Sequence, residues 1–256
     1  MKHKVGLVLS GGGARGIVHL GIIKALEELG IKPDIVSGTS AGAIAGAFLA
    51  AGYTVEDIVK IVKKGHFFSF SNIVLSKAGI FSMKRFEQIY MQYFKNNSFD
   101  DLCKPLYIAT TDILKAEVVY FSSGNLAKAI MASSCIPLVF QPVEHNNTMY
   151  VDGGVLNNFP LEPIEGKCEK IIGIYANSMQ KELTKIKLKE IVDRSYHLAM
   201  IGSVKTKSEK CTVYLEPPDM SRYSLFDVKK ADEIFEHGYN YAMGMEGEIR
   251  EKFEHS

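Results

Sequence analysis

The chain reads as an α/β protein, a three-layer α/β/α fold around a mainly parallel central sheet. Three observations predict it. Short apolar runs alternate along the chain with segments of helical period, the pattern of strands flanked by crossover helices. Two of those runs end in glycine-rich turns that open straight into helices, Gly11–Gly16 and Gly38–Gly42. The 256 residues hold no repeat, low-complexity tract or Pro/Gly/Ser linker, so the expectation is one domain over 1–256.

Met1-Lys2-His3-Lys4 followed by Val5–Leu9 imitates a signal peptide, but the apolar run is shorter than the roughly 7–15 residues that segment needs. Lys4–Leu9 is therefore the first strand. Gly16–Leu29 keeps a helical period and stops at Gly30, and Asp34–Val36 is a second strand leading to a helix over Ala41–Ala51. No charge occurs between Asp34 and Glu56, and Gly38, Gly42 and Gly46 repeat the spacing of paired membrane helices. Only Ala41–Ala51 is apolar throughout, well under the roughly 20 residues that cross a bilayer, so no membrane span is expected.

Val55–Lys64 and Met83–Phe94 read as helices, Leu106–Thr111 and Glu117–Phe121 as strands joined by a polar turn around Lys115, and Leu126–Ser133 as a helix. Strands follow at Met149–Val151, Ile171–Tyr175 and Thr212–Leu215, with helices near Leu188–Val204 and Val228–Arg250. The last of these offers a candidate dimer face of the kind any long amphipathic helix carries. Met243 and Met245 within it read as core filling.

Thirty Lys plus Arg against 29 Asp plus Glu leave a net charge of +1, so no global field attracts nucleic acid. At 46% hydrophobic and 23% charged residues, the composition excludes wholesale disorder, collagen-like repeats and coiled coil. Cys103, Cys135, Cys168 and Cys211 stand tens of residues apart, without the close pairs of zinc or dithiol sites. They read as reduced, mostly buried thiols of a cytoplasmic protein, with no metal or cofactor implied.

The turn Gly11-Gly12-Gly13-Ala14-Arg15-Gly16 sets several backbone N–H groups at a helix N-terminus, a place that stabilises negative charge. It also satisfies G-x-G-x-x-G with Asp34 about twenty residues on, as a dinucleotide site asks. In a dinucleotide fold, however, the acid closes the second strand, whereas Asp34 precedes it. A Walker loop fails because no Lys-Ser or Lys-Thr follows the glycines. A tight turn that is merely glycine-rich stays open as a reading, and so does a nucleotide- or phosphate-binding module without catalysis.

Gly38-Thr39-Ser40-Ala41-Gly42 is G-x-S-x-G between a strand and a helix, the setting of a nucleophile elbow. Gly38 and Gly42 remove Cβ atoms that would clash with the neighbouring strand and helix, and Ser40 is left exposed as the nucleophile. The two glycine features support each other, since an attacking serine creates an oxyanion that the Gly11–Gly13 amides can hold. A base is then required. None of the seven histidines is well placed: His66, His145, His197 and His237 lack a partnering motif, and His19 reads as packing beside the glycine loop. Asp152 is better placed, ending the strand Met149–Val151 on a turn made by Gly153 and Gly154, although a turn aspartate is often only that.

Together these segments resemble the patatin-like phospholipases, acyl hydrolases with a Ser–Asp dyad on an α/β fold. The likeness spans most of the chain and rests on Gly11–Gly16, Gly38–Gly42 and Asp152-Gly153-Gly154. Ala109-Thr110-Thr111-Asp112, Ala132-Ser133-Ser134-Cys135-Ile136-Pro137 and Asn157-Asn158-Phe159-Pro160 also look like the family's bacterial members. The resemblance implies that Ser40 attacks an ester carbonyl and that Asp152 takes its proton directly. Gly11, Gly12 and Gly13 would then form the oxyanion hole, with Arg15 orienting the loop or meeting a lipid phosphate. As a bare residue Arg15 is equally a helix-surface charge. The chain looks like the catalytic domain alone.

The resemblance implies an acyl ester of a phospholipid or lysophospholipid as substrate, with a general carboxylesterase or acyltransferase as the alternative within the same chemistry. Such a substrate requires access to a membrane. Lys63-Lys64-Gly65-His66-Phe67-Phe68-Ser69-Phe70 joins basic charge to aromatic bulk in an apparent loop, either a lid or interfacial segment over about 63–82 or a loop whose phenylalanines enter the core. Transient membrane-surface contact by a cytoplasmic protein is the corresponding expectation.

Overall fold

A computed structural model describes residues 3–64, 84–179, 191, 194, 195, 198 and 204–254. The expected lid falls mainly on residues 65–82, with Phe67 and Phe68, and those lie outside the described residues. The helix expected over Leu188–Val204 is described only at Ile191, Arg194, Ser195, Leu198 and Val204, and each of these is helical.

Parallel strands β1 (His3–Leu9), β2 (Ile35–Thr39), β7 (Cys168–Ile174) and β8 (Val213–Leu215) form one part of the sheet. The other part is β3 (Leu106–Asp112), β4 (Glu117–Phe121), β5 (Val143–His145) and β6 (Thr148–Asp152). The order is β5-β6-β3-β2-β1-β7-β8, with β4 also paired to β3. Successive strand residues face opposite sides, so Leu7, Leu9, Val36, Ile172 and Ile174 enter one core and Val8, Ile35 and Ile171 a smaller second one. The larger core is closed by α1 (Ile17–Glu28), α2 (Ala41–Ala50), α3 (Val55–Lys63), α4 (Lys84–Tyr93), α5 (Leu126–Ser133), α7 (Ala231–Gly244) and α8 (Glu246–Glu254). Phe159, Leu161 and Ile164, with Val204 of α6 (Val204–Ser208), close the other face. This is the expected three-layer arrangement.

The pairing of β3 decides where the functional residues meet. Along one edge it pairs with β4 from Ile108 to Asp112. Along the other, β2 occupies Leu106–Ala109 and β6 takes over at Thr110–Asp112, running the opposite way. The carboxyl ends of β2 and β6 therefore meet head to head on one edge of β3. Thr39 is the last rung of one and Asp152 of the other.

Three elements depart from expectation. β2 extends to Thr39, because Ser37-Gly38-Thr39 lies between two paired strands whose ladders compensate for weak strand propensity. β5, which holds His145, is a strand outside the expected set, and Asn146 and Asn147 (φ 49° and 59°) make the two-residue turn that joins it to β6. The terminal helix breaks at Met245 into α7 and α8, and α7 buries Ile234, Gly238 and Ala242. Its inner face packs on α1, where Gly21 and Gly238 let the two backbones approach closely. Met243 and Met245 are partly buried against the core.

Candidate active site

Ser40 is the hinge between β2 and α2, with φ 51° and ψ −118°, a conformation costing a non-glycine residue on the order of 1–3 kcal/mol. The surrounding backbone holds it there. A Cβ on Gly42 would stand 2.3 Å from the Leu9 carbonyl oxygen, and one on Gly38 2.5 Å from that of Gly42, so only glycines let α2 start this close to β1 and β2. Ser133 Oγ accepts the Ser40 N–H at 2.8 Å and donates to the Ala109 carbonyl at 2.6 Å, pinning the elbow to β3. Thr39 Oγ1 donates to the Asn157 carbonyl at 2.9 Å on the far side.

Asp152 ends β6; its carboxylate accepts the Gly154 N–H at 2.7 Å, and the Ser40 hydroxyl acts on it to favour the charged form. It is only 3% exposed. Burial pushes its pKa up from 3.8 to about 6, against the opposing pull of the Ser40 and Gly154 hydrogen bonds. The Asp152 N–H is held by the Cys135 carbonyl at 2.9 Å. The Cys135 thiol is pushed up to about 12, first by burial and then by the Asp152 charge, which keeps it from competing as a nucleophile.

The glycine loop packs against this pair: a Cβ on Gly11 would lie 3.2 Å from Ser40 Cβ, and one on Gly16 2.5 Å from Ala41 Cβ. Gly13 has φ 56°, and a Cβ there would meet the Leu225 carbonyl at 2.5 Å. Among the described residues the Gly12 and Gly13 N–H groups make no hydrogen bond. Gly11 differs from the expectation, because its N–H already donates to the Asn158 carbonyl at 3.2 Å. Arg15 is not a surface charge: it is 4% exposed, and its Nε donates to the Tyr223 carbonyl at 2.7 Å, tying the loop to the segment before α7.

Of the histidines, His66 and His197 lie outside the described residues. His237 bonds the Pro218 carbonyl, and His145 stacks at an angle on Phe121. His19 is buried beside the loop, and desolvation drives its pKa down to about 4. As a neutral ring it donates from Nε2 to the Ser10 carbonyl at 2.8 Å, a bracing role. Asp34 accepts the Val5 N–H at 2.9 Å at the opposite end of β1, so the dinucleotide-like spacing serves the strand. Among the described residues no cluster of three or more His, Cys, Asp or Glu is arranged to hold a metal ion. All four cysteines are free: Cys135 and Cys168 are buried, Cys211 is partly buried and Cys103 is exposed. Sequence reasoning gave Ser133 and Asn157 no role, since their contacts to the elbow span 93 and 118 residues.

The family model for patatin-like phospholipases matches residues 7–164. The chain belongs to that family. Among curated relatives, the lysophospholipase NTE1 of Kluyveromyces lactis is 30% identical over 283 residues, covering 98% of this chain and 20% of its own length. That of Phaeosphaeria nodorum is 29% identical, covering 97% and 18%. The chain thus spans about one fifth of the relatives it matches. VipD from Legionella pneumophila superimposes with a TM-score of 0.65 at 17% identity, over 97% of this chain and 67% of VipD. The type III effector protein ExoU gives 0.50 at 18% identity, over 97% and 53%. These two share the patatin fold of this chain.

Proposed function

We propose that the chain is a serine acyl hydrolase in which Ser40 is the nucleophile and Asp152 the general base. The meeting of the Ser40 and Asp152 strand ends on one edge of β3, with the Ser40 hydroxyl pulling on the buried Asp152 carboxyl, carries the reading. With a pKa of about 6, Asp152 is ionised at neutral pH yet basic enough to take a proton in the transition state. Ser40 Oγ bonds to the acyl carbon as its proton passes to Asp152, and the carbonyl electrons move onto an oxyanion facing the Gly12 and Gly13 N–H groups. Collapse expels the alcohol, which takes the proton from Asp152. Water then attacks the acyl-Ser40 ester by the same route, and no histidine takes part.

Phospholipid or lysophospholipid acyl esters are the proposed substrates, supported by the family and by relatives named lysophospholipases. Among the described residues no helix is long and apolar enough to cross a membrane. A lipid substrate makes transient contact with a membrane surface part of the proposal, and co-flotation with lysophospholipid-containing vesicles tests it. The deciding experiment is hydrolysis of a short-chain chromogenic ester and of lysophospholipid by wild type, Ser40→Ala and Asp152→Asn, each checked for folding. Both variants should lose activity on both substrates. A folded Asp152→Asn that retains wild-type rates would remove Asp152 as the base.

A further inference from the structure

Two hydrogen bonds converge on the Gly11 carbonyl, one from Asn177 Nδ2 at 2.7 Å and one from Ser10 Oγ at 3.0 Å. Ser10 Oγ in turn accepts the Ala176 N–H at 2.9 Å, so both donors are anchored just past the carboxyl end of β7, beside β1. The Gly11 carbonyl and the Gly12 N–H are the two ends of one planar trans peptide and point in opposite directions. Holding the carbonyl toward Asn177 therefore aims the Gly12 N–H the other way.

Such a restraint is needed here. The plate lies between two glycines, where no Cβ resists its rotation, and a flip would present the carbonyl where the N–H now stands. A carbonyl turned toward a developing oxyanion repels it. We infer that Asn177, assisted by Ser10, is the positioning residue of the oxyanion hole, locking the Gly11–Gly12 peptide with its N–H toward the reacting carbonyl. This role presupposes the Ser40–Asp152 chemistry proposed above.

Two further observations favour it. Asn177 is fully buried, yet its Oδ1 has no hydrogen-bond partner among the described residues. A buried carboxamide retained only for packing would be replaced at little loss by an apolar side chain, because the unpaired oxygen is a standing penalty. Its Nδ2, by contrast, has a definite task, since only the donor end of an amide can face a carbonyl. Two donors on that carbonyl also polarise the peptide and strengthen the Gly12 N–H as a donor.

The test uses the full chain, a short-chain chromogenic ester and an alkylboronic acid, whose tetrahedral adduct with Ser40 places a negative oxygen in the oxyanion position. Asn177→Ala should lower kcat by about 10–100-fold, a fraction of the loss when an oxyanion donor itself is removed. KM should stay within about twofold, and boronic acid affinity should fall with kcat. The acid limb of the pH profile, set by Asp152, should not move. Asn177→Asp, equal in shape but without the donor, should fall at least as far, and Ser10→Ala should lie between it and wild type.

Wild-type kcat in folded Asn177→Asp, or a kcat loss with unchanged boronic acid affinity, overturns the inference. Should both Asn177 variants fail to fold, wild-type kcat and boronic acid affinity in folded Ser10→Ala overturn it. Ser40→Ala separates the two proposals. If it stays active, the dyad reading fails; if it is inactive while Asn177→Ala is unimpaired, only the positioning role fails.

Discussion

Asp112 and Asp152 end the two strands of the antiparallel pair β3 and β6, both buried, yet their surroundings drive them in opposite directions. Burial pushes both carboxyls up. At Asp112 the Thr148 hydroxyl at 2.7 Å, the Lys115 and Leu114 amides at 3.1 and 3.0 Å and the Lys115 ammonium outweigh it, holding the group below the usual carboxylate range. Asp152 has one amide and the Ser40 hydroxyl, too little to offset its desolvation, and its pKa rises to about 6. The difference is one of donor supply. A carboxylate with three donors on one oxygen and an ammonium near the other is a structural anchor, whereas one with fewer donors keeps an appetite for a proton.

The largest contrast between the two should appear in catalysis. Asp152→Asn is expected to cut kcat about 10²–10⁴-fold and Ser40→Ala to remove acyl-enzyme formation, while Asp112→Asn leaves kcat near wild type in steady-state assays. The pH profile of kcat/KM should rise with a midpoint near 6 and level off above it, because the base works only when deprotonated. A profile flat from pH 5 to 8 would mean that another group is the base.

Stability should show the same opposition at smaller scale. Asp152 is raised from 3.8 to about 6 on folding, so its contribution is whole below about pH 4 and is lost as pH rises through 6. At pH 8 the ionised group costs the fold about 3 kcal/mol, and Asp152→Asn should raise the melting temperature there but not at pH 4. Asp112 has the reverse sign. Its contribution exists above the ordinary carboxylate range and is lost as pH falls through its depressed value, so Asp112→Asn should melt earlier at pH 7.

Ser133→Ala leaves the Ser40 N–H without its acceptor and should destabilise the fold by about 1–3 kcal/mol in denaturant titration, with a fall in kcat as the elbow loosens. The smallest effect is expected at Lys115, whose ammonium is 64% exposed and 3.8 Å from Asp112. Lys115→Ala should cost under about 1 kcal/mol by the same titration, since the backbone amides and Thr148 do most of the holding.

The parts of the site legible in the sequence are those set by local backbone demands. Gly13 is a position of positive φ, and Gly38 and Gly42 are close backbone approaches, so each leaves a residue type that can be read without knowing its neighbours. The turn after Asp152 is equally local, closed by the N–H of Gly154 two residues on. Where local signals are weak the sequence is ambiguous: Ser37-Gly38-Thr39 is a poor strand by propensity, and Asn146-Asn147 lacks the glycine of the commonest two-residue hairpin turns. Arg15 reads equally as surface or buried until its acceptor, the Tyr223 carbonyl, is known.

By itself the sequence determined the alternation of strands and helices, the two glycine turns, the serine at the elbow and the aspartate at the end of its strand. All of these follow from φ preferences, side-chain volume and hydrophobic period, which act over a few residues. Only the tertiary structure decided that the strands leading to Ser40 and Asp152 meet, because β2 and β6 share one edge of β3, and that Gly12 rather than Gly11 keeps a free N–H. The same holds for the raised pKa of Asp152 and for the grip of Asn177 on a carbonyl 166 residues away. Desolvation and hydrogen-bond supply are properties of what surrounds a group in space, and no short window of the chain contains them.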